Sequence, residues 1–307
     1  MTDTASKLTL GPVLFKWSPE DLRDFYFRIA DEADVDSVCI GEVVCSKRTS
    51  FFQPYLAEAI ERLRKGGKEV VLSTLALIPS ESDEDRVRDE VAAVADGVMV
   101  EANDIATAAL VAGRPHAIGP YVNVYNEGTL AYLEGRGAVR VCLGAELPSS
   151  SLAVFAGAAK AELEVQVFGR LPLALSARCY HARSRGLGKD NCRFVCQEDP
   201  DGMAVETMDG DPFLAVNGIQ TLSYSYHCLV GELDELRNMG IGRFRISPHT
   251  ADMVKVADLF RGVLGGRAEP EAVLAELKTL SGGAPLSNGF YHDAAGREFI
   301  EGQTPGE

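Results

Sequence analysis

Short apolar segments rich in β-branched residues alternate with amphipathic helical segments along almost the whole 307-residue chain. This alternation is typical of βα units, in which parallel strands are covered by helices on both faces. The eight candidate strands are Pro12–Phe15, Val35–Ile40, Glu69–Thr74, Gly97–Val100, His116–Tyr121, Ala138–Leu143, Leu163–Phe168 and Gly242–Ile246. The candidate helices are Pro19–Ala33 with Ser18 as its cap, Tyr55–Lys65, Asp83–Ala95, Asp104–Ala112, a weaker helix after Ser149, Ala251–Leu264 and Glu269–Leu280. The pattern predicts an α/β fold, a (β/α)8 TIM-like barrel whose functional residues gather at the C-terminal ends of the strands.

One connection departs from this rhythm. Residues 169–241 separate the seventh candidate strand from the eighth, and this length far exceeds that of an ordinary βα loop. We therefore expect a single barrel domain over residues 1–307, with 169–241 as an insertion between strands 7 and 8.

Composition excludes several classes of protein. The 45 acidic residues outnumber the 30 basic ones, and a net charge of −15 repels a nucleic-acid backbone, so no nucleic-acid partner is expected. No segment approaches the roughly 20 apolar residues that a membrane span needs, so an integral membrane protein is not expected either. The N-terminus lacks the small-residue cleavage site of a secretory signal, which favours a cytoplasmic location.

The cysteines carry the most chemical information. Their number, seven, is odd and fits reduced thiols or metal ligands better than a disulfide framework. Three of them, Cys179, Cys192 and Cys196, lie in one basic segment of the insertion that is eighteen residues long. Positive charge in such a segment stabilises thiolates. A fourth ligand has to come from elsewhere in the chain. Cys39 ends the second candidate strand and Cys45 follows six residues later, and their positions relative to the strand do not decide between them.

Sets of thiolates select zinc or iron–sulfur clusters over magnesium or calcium. Structural zinc sites use paired C-x2-4-C knuckles, a pattern that only Cys192 and Cys196 approach. A [4Fe–4S] cluster also takes four cysteines and tolerates ligands from separate segments, although the common ferredoxin runs are absent. Buried, reduced thiols remain the third interpretation. Cys142, inside an apolar strand, is read as a small buried hydrophobic residue, and Cys228 fits either class.

Other polar residues are candidates for the same end of the barrel. Glu42, Lys47 and Arg48 follow the second strand and could bind an anionic dicarboxylate, or they could be solvated loop charges. His181 could tune a metal centre or move protons, or it could serve in packing alone. His249 follows the eighth strand, where it could be functional or start the next helix.

Five segments resemble known proteins. They are Gly41–Arg48, Ala177–Arg183, Lys189–Cys196, Asn217–Thr221 and Phe244–His249, and together they resemble the ubiquinone-biosynthesis branch of the collagenase-like peptidase superfamily. The resemblance extends from about Leu8 to Tyr291, and the cysteine motif is its specific part.

The resemblance implies an oxygen-independent hydroxylation system that acts on ubiquinone precursors under anaerobic conditions. The chain would form a heterodimer with a UbiU-type sister subunit, and each would hold a [4Fe–4S] cluster on four cysteines. Carried onto this sequence, the cofactor and metal ligands are Cys39, Cys179, Cys192 and Cys196. The oxygen atom would come from a donor other than O2, prephenate being the candidate, and a lipid-carrier accessory protein would present the quinone precursor.

Two alternatives stay open beside this hydroxylase. The chain could be a non-catalytic scaffold that stabilises its partner with a structural metal, or a relative that hydroxylates nucleic-acid bases, which the net charge opposes. Peptidase activity is not expected, because the sequence has neither an H-E-x-x-H helix nor a G-x-S-x-G elbow, and Ser149–Ser151 is read as a helix cap.

Overall fold

The computed structural model describes residues 6–301 and contains a closed parallel barrel. The barrel strands are β1 (Lys7–Leu10), β2 (Ser37–Ile40), β3 (Glu69–Ser73), β4 (Met99–Ala102), β5 (His116–Ile118), β6 (Ala138–Cys142), β7 (Glu162–Leu175) and β11 (Arg243–Ile246). The remaining strands are β8 (Met203–Glu206), β9 (Pro212–Asn217), β10 (Gln220–Cys228) and β12 (Leu286–Ser287). The barrel closes because β11 pairs in parallel with both β1 and β7.

Helices follow the barrel strands and surround them. They are α1 (Pro19–Glu32), α2 (Thr49–Lys65), α3 (Glu81–Ala92), α4 (Ile105–Leu110), α5 (Glu127–Gly135), α6 (Ser149–Ala158), α7 (Tyr180–Ser184), α8 (Leu233–Met239), α9 (Met253–Leu264) and α10 (Pro270–Leu280). The helix α8 packs between α6 and α9, so it occupies the seventh place in the ring. The predicted (β/α)8 architecture is confirmed.

Ion pairs fill the barrel interior. Arg245 on β11 donates from Nη1 to Glu101 Oε2 at 2.6 Å and to Glu164 Oε1 at 2.7 Å, and from Nη2 to Glu101 Oε1 at 3.0 Å. All three side chains are buried. Since a carboxylate on each of two strands meets one guanidinium from a third, the charges are paired and hydrogen-bonded, as buried charges need to be.

The insertion is a small antiparallel sheet that continues the barrel wall. The strand β7 runs on past the barrel, β10 pairs antiparallel with this extension, and β9 and β8 follow outward. The segments between β7 and β8, which carry three of the cysteines, are made of α7 and one-turn 3-10 helices at Lys189–Asn191 and Val195–Glu198. The end of the predicted insertion, α8, belongs to the helical ring instead.

Several predicted elements need correction. The first strand is Lys7–Leu10, whereas Pro12–Phe15 has no strand pairing; Leu8–Phe15 is mostly apolar apart from Thr9, and its second half is buried under the insertion. The helix α5 was not predicted, because Gly128 and Gly135 weaken its helical signal. Ser149–Ser151 forms the first turn of α6 and no side chain caps that helix.

The cap at Ser18 is confirmed, because its Oγ accepts a hydrogen bond from Asp21 N at 3.0 Å. Within residues 6–301, no helix combines the length and the apolar character that crossing a bilayer requires.

Candidate metal centre

Four cysteines face one small recess at the C-terminal end of the barrel. Cys45 lies in the loop after β2, and Cys179, Cys192 and Cys196 lie in the insertion. Lys47, Arg48, Lys189, Phe194, Val195 and Gly218 complete the lining. The structure therefore brings the three predicted cysteines of the insertion together and joins a barrel cysteine to them.

That barrel cysteine is Cys45, and the predicted ligand Cys39 lies elsewhere. Cys39 is on β2 itself, is 1% exposed, and points into the barrel, where its Sγ is 3.9 Å from Glu101 Oε2. Burial, followed by the Glu101 charge, raises the pKa of this thiol. A strand residue that faces the barrel interior cannot turn towards the rim, whereas Cys45 follows the strand in a loop. We therefore correct the candidate set to Cys45, Cys179, Cys192 and Cys196.

Glu42 shapes the loop that carries Cys45. Its Oε1 accepts hydrogen bonds from the backbone N–H groups of Val44 at 2.8 Å and Cys45 at 2.9 Å. One carboxylate oxygen thus fixes two consecutive peptide groups and closes a tight turn after β2. Burial raises the pKa of Glu42, and the nearby Arg48 opposes this effect. The side chain acts as a support for the Cys45 loop.

Cys179 caps the helix α7. Its Sγ accepts a hydrogen bond from Ala182 N at 3.4 Å, and the helix covers five residues. Burial raises the pKa of Cys179, and this N–H group opposes the rise because it stabilises the thiolate. The cap therefore holds the sulfur atom against the recess.

The turn between Cys192 and Cys196 has an unusual backbone. Arg193 and Phe194 have φ angles of 51° and 55°, in the left-handed region that residues other than glycine seldom adopt. The Phe194 ring packs edge-on against Phe51 of α2, with centroids 4.7 Å apart. The strained turn is thus anchored to the barrel by an aromatic contact, and both cysteines are carried on it.

Arg48 and Asn217 join the insertion to the barrel behind the thiols. Arg48 is 4% exposed, and its guanidinium donates to Leu14 O at 3.2 Å and to Asn217 Oδ1 at 2.7 Å. The amide Nδ2 of Asn217 donates to Cys196 O and Asp199 O, both at 2.9 Å. One asparagine therefore binds the guanidinium on one side and the backbone of the cysteine turn on the other.

Gly218 makes room for this guanidinium. Its φ is +68°, and a Cβ atom placed there would lie 2.3 Å from Arg48 Nη2. Any other residue would combine an unfavourable backbone conformation with a clash against a buried charge.

A second buried cation lies beside the first. Lys16 is 4% exposed, its Nζ donates to Trp17 O at 2.9 Å, and it lies 4.2 Å from the centroid of the Phe51 ring. Burial lowers its pKa, and the charge of Arg48 lowers it further. The region behind the thiols is therefore locally positive in a chain that is acidic overall.

Two histidines lie close to aspartates of the insertion. His181 Nε2 lies 3.0 Å from Asp199 Oδ2, and burial lowers the pKa of this imidazole. His249 Nε2 accepts a hydrogen bond from Arg170 N at 3.1 Å, while its Nδ1 is 3.5 Å from Asp201 Oδ1. The backbone contact leaves the proton of a neutral His249 on Nδ1, facing the carboxylate.

His249 follows the barrel strand β11 and contacts the insertion at Arg170 and Asp201, whereas His181 and Asp199 both belong to the insertion. His249 does not start a helix, because α9 begins at Met253 with Asp252 as its cap.

The other sequence candidates have structural places. Lys47 Nζ donates to Lys189 O at 2.8 Å, so it fixes the cysteine segment to the barrel. Cys142 and Cys228 are buried away from the recess, Cys142 on β6 and Cys228 at the end of β10. The predicted burial of Cys142 is confirmed.

Sequence reasoning missed Lys16, Asn217, Asp199 and Asp201 as functional residues. The segment Asn217–Thr221 was noted for its resemblance, but nothing in its local pattern indicated that its first residue binds Arg48. Each of these residues gains its role from contacts between distant parts of the chain, such as the 169 positions that separate Arg48 from Asn217.

Comparison with solved structures returns barrel enzymes at low similarity. DAHP synthase (phospho-2-dehydro-3-deoxyheptonate aldolase) from Thermotoga maritima is 11% identical, with a TM-score of 0.44 over 93% of this chain and 72% of that one. A truncated form of the Thermotoga maritima enzyme is 10% identical, with a TM-score of 0.43 over 93% of this chain and 90% of that one. The tryptophan synthase complex from Pyrococcus furiosus is 10% identical, with a TM-score of 0.39 over 92% of this chain and 100% of that one.

Comparison with protein families is more informative. The model of peptidase family U32 matches residues 20–300, which include seven of the eight barrel strands, the insertion and all four cysteines of the recess. The chain belongs to peptidase family U32.

Proposed function

We propose that this chain is the iron–sulfur subunit of an oxygen-independent hydroxylase of ubiquinone biosynthesis, similar to UbiV, and that it works as a heterodimer with a UbiU-type sister subunit. The observation that carries the proposal is the single recess that Cys45, Cys179, Cys192 and Cys196 share. Membership of peptidase family U32 supports assignment to the collagenase-like peptidase superfamily. The resemblance of the cysteine segments supports assignment to its ubiquinone-biosynthesis branch.

The donor set fits a [4Fe–4S] cluster. Four thiols and no carboxylate line the recess, and thiolates are the ligands that such clusters take. In the part of the chain that the structure describes, no three His, Cys, Asp or Glu side chains are close enough to hold one metal ion. Thiolates of a cluster bind different iron atoms and so stand farther apart than those around one zinc ion. The preference for a cluster over zinc rests on the resemblance of the cysteine segments.

The surrounding charges also fit. A cluster on four thiolates carries net negative charge, and Arg48 and Lys16 place two buried cations on the Cys196 side of the recess. A buried charge is stable only when an opposite charge or hydrogen-bonding group accompanies it. Glu42 offsets part of this positive charge, and thiols ionised around a cluster would offset more of it.

When bound, the cluster would supply one-electron transfer at the rim of the barrel. The chain's own residues position three of the four cysteines, through Glu42 at Cys45, the backbone N–H of Ala182 at Cys179 and Asn217 at Cys196. In the proposed system prephenate donates the oxygen atom, a lipid-carrier accessory protein presents the quinone precursor, and the reaction takes place in the cytoplasm. Peptidase activity is not part of the proposal.

Complementation under anaerobic conditions tests this function. In a strain without the native gene, Cys45→Ala and Cys192→Ala should abolish anaerobic ubiquinone synthesis, because each removes a ligand. The control Cys228→Ala, which changes a buried cysteine outside the recess, should retain it. Normal ubiquinone levels with both ligand variants would refute the proposal.

One observation favours a structural role as the second candidate. Three of the thiols belong to the insertion and one to the barrel, so a bound metal would cross-link the two. Chelation followed by thermal melting separates the roles. Loss of folding together with the metal would favour a scaffold, whereas an unchanged melting curve with lost ubiquinone synthesis would favour redox chemistry.

A further inference from the structure

A large apolar cavity lies between the barrel and its first helices. Its volume is about 740 Å³, and its lining includes Tyr26, Phe52, Leu56, Ile60, Leu72 and Val94, from α1, α2, β3 and the segment after α3. We call it the α2 chamber. The helix α2 spans 17 residues, about 25 Å at 1.5 Å per residue, and lining residues occur from Thr49 to Lys65 along all of it.

The chamber exists because α2 packs loosely. Only Ala59 and Leu63 of this helix are fully buried, whereas Phe52, Leu56 and Ile60 are partly buried and border the cavity. Apolar side chains that border open space forgo the contacts that stabilise a close-packed core. A ligand of matching apolar character would supply those contacts.

Charged side chains line both ends of the chamber: Glu61, Arg64 and Lys65 are exposed near the C-terminus of α2, whereas the opposite end is buried and touches the thiol recess. Lys16, Glu42 and Arg48 line this end, and Arg48 also lines the recess. Among residues 6–301 no carboxylate forms an ion pair with Lys16, whose ammonium makes one hydrogen bond, to Trp17 O. An ammonium has three N–H donors, so this buried group has capacity for an acceptor oxygen from a ligand.

We propose that the α2 chamber binds an elongated apolar molecule with an acidic oxygen at its head, a phenol or a carboxylate. The head lies at Lys16 and Arg48, next to the thiol recess, and the apolar chain lies along α2. The identification of this ligand with the quinone-precursor substrate rests on the proposed function. It assigns the substrate site to this chain rather than to the sister subunit.

The chain contains its own reporter for this site. Trp17 is the single tryptophan, it lines the chamber, and its Nε1 donates to Pro200 O at 2.8 Å. Bromine atoms quench tryptophan fluorescence on contact. Titration of the anoxically purified holoprotein with 9,10-dibromostearate should therefore quench Trp17 in a saturable manner, and 4-nonylphenol should reverse the quenching by competition.

Variants locate the head and the chain of the ligand. Lys16→Met should weaken the binding of dibromostearate about tenfold, because it removes a buried charged hydrogen bond, and should leave the binding of the corresponding dibrominated alcohol unchanged. Leu56→Glu should abolish binding of both probes by placing a charge in the chamber. The matched control Val154→Glu, at an exposed apolar position of α6, should bind as the unmodified protein does.

The outcomes separate this inference from the proposed function. Quenching that does not saturate, or that is the same in the Leu56→Glu and Lys16→Met variants as in the unmodified protein, would overturn the inference even if the protein restores anaerobic ubiquinone synthesis. Saturable quenching that both variants weaken would support the chamber even if complementation fails, and only the proposed function would then be lost.

Discussion

Glu90 provides a quantitative test of the apolar character of the α2 chamber. This residue of α3 lines the cavity, and burial raises the pKa of its carboxyl group to about 7 from an ordinary value of 4.5. Arg86 opposes the rise, and the charge of Glu42 adds to it. The folded protein therefore holds a proton on Glu90 over a pH range in which the unfolded chain has released it.

The sign and size of the effect follow from this difference. Between pH 4.5 and about 7 the folded state binds more protons than the unfolded state, so the free energy of unfolding falls as the pH rises and then levels off. The full difference in pKa between the folded and unfolded states corresponds to about 3 kcal/mol, at about 1.36 kcal/mol per pKa unit. Because Glu90 is partly exposed, solvent screening reduces this to roughly 1–2 kcal/mol. Glu90→Gln keeps the shape and removes the charge, so it should stabilise the protein by that amount at pH 8.

Thermal melting at two pH values measures this difference. For a chain of this length, 1–2 kcal/mol corresponds to about 2–3 °C in Tm. Glu90→Gln should therefore melt about 2–3 °C above the unmodified protein at pH 8 and at nearly the same temperature at pH 4.5. Glu58→Gln, at an exposed position of α2, serves as the control and should change neither value. A Glu90→Gln shift of the same size at both pH values would refute the reasoning.

The barrel interior and the guanidinium behind the thiols allow two further predictions. Arg245→Met should lower the free energy of unfolding by about 3–5 kcal/mol at neutral pH, because it leaves Glu101 and Glu164 buried without their cation, and a Tm within about a degree of the original would contradict this. Gly218→Ala should reduce metal retention during anoxic gel filtration, because the new Cβ displaces Arg48, and unchanged iron content would show that the guanidinium tolerates the shift.

The barrel could be predicted because its signals are local. Buried strands such as Glu69–Ser73 are short apolar segments, and the helices between them have caps and amphipathic patterns, as at Ser18. The first strand was misplaced because Leu8–Phe15 is apolar apart from Thr9, so its composition does not mark where the strand lies. The pairing of Lys7–Leu10 with β2 and β11 places the strand in the first half, whereas Leu14 O in the second half accepts hydrogen bonds from Arg48 Nη1 and from Gln220 Nε2 of the insertion.

The candidate site was predictable in part for the same reason. The spacing of Cys179, Cys192 and Cys196 marks a thiolate site locally, whereas the choice between Cys39 and Cys45 depends on where the barrel wall ends. Cys39 faces the ion pairs inside the barrel, and Cys45 lies past the turn that Glu42 closes. Strand periodicity alone does not reveal which residue has left the strand.

Iron and acid-labile sulfide contents of two cysteine variants test the central claim most directly. The measurement compares Cys45→Ala with Cys39→Ala, both purified without oxygen and assayed beside the unmodified protein. We expect about four irons and four sulfides per chain for the unmodified protein and for Cys39→Ala, and a large loss of both for Cys45→Ala. Full iron content in Cys45→Ala with loss in Cys39→Ala would contradict the site described, and about one zinc per chain in the unmodified protein would contradict the cluster.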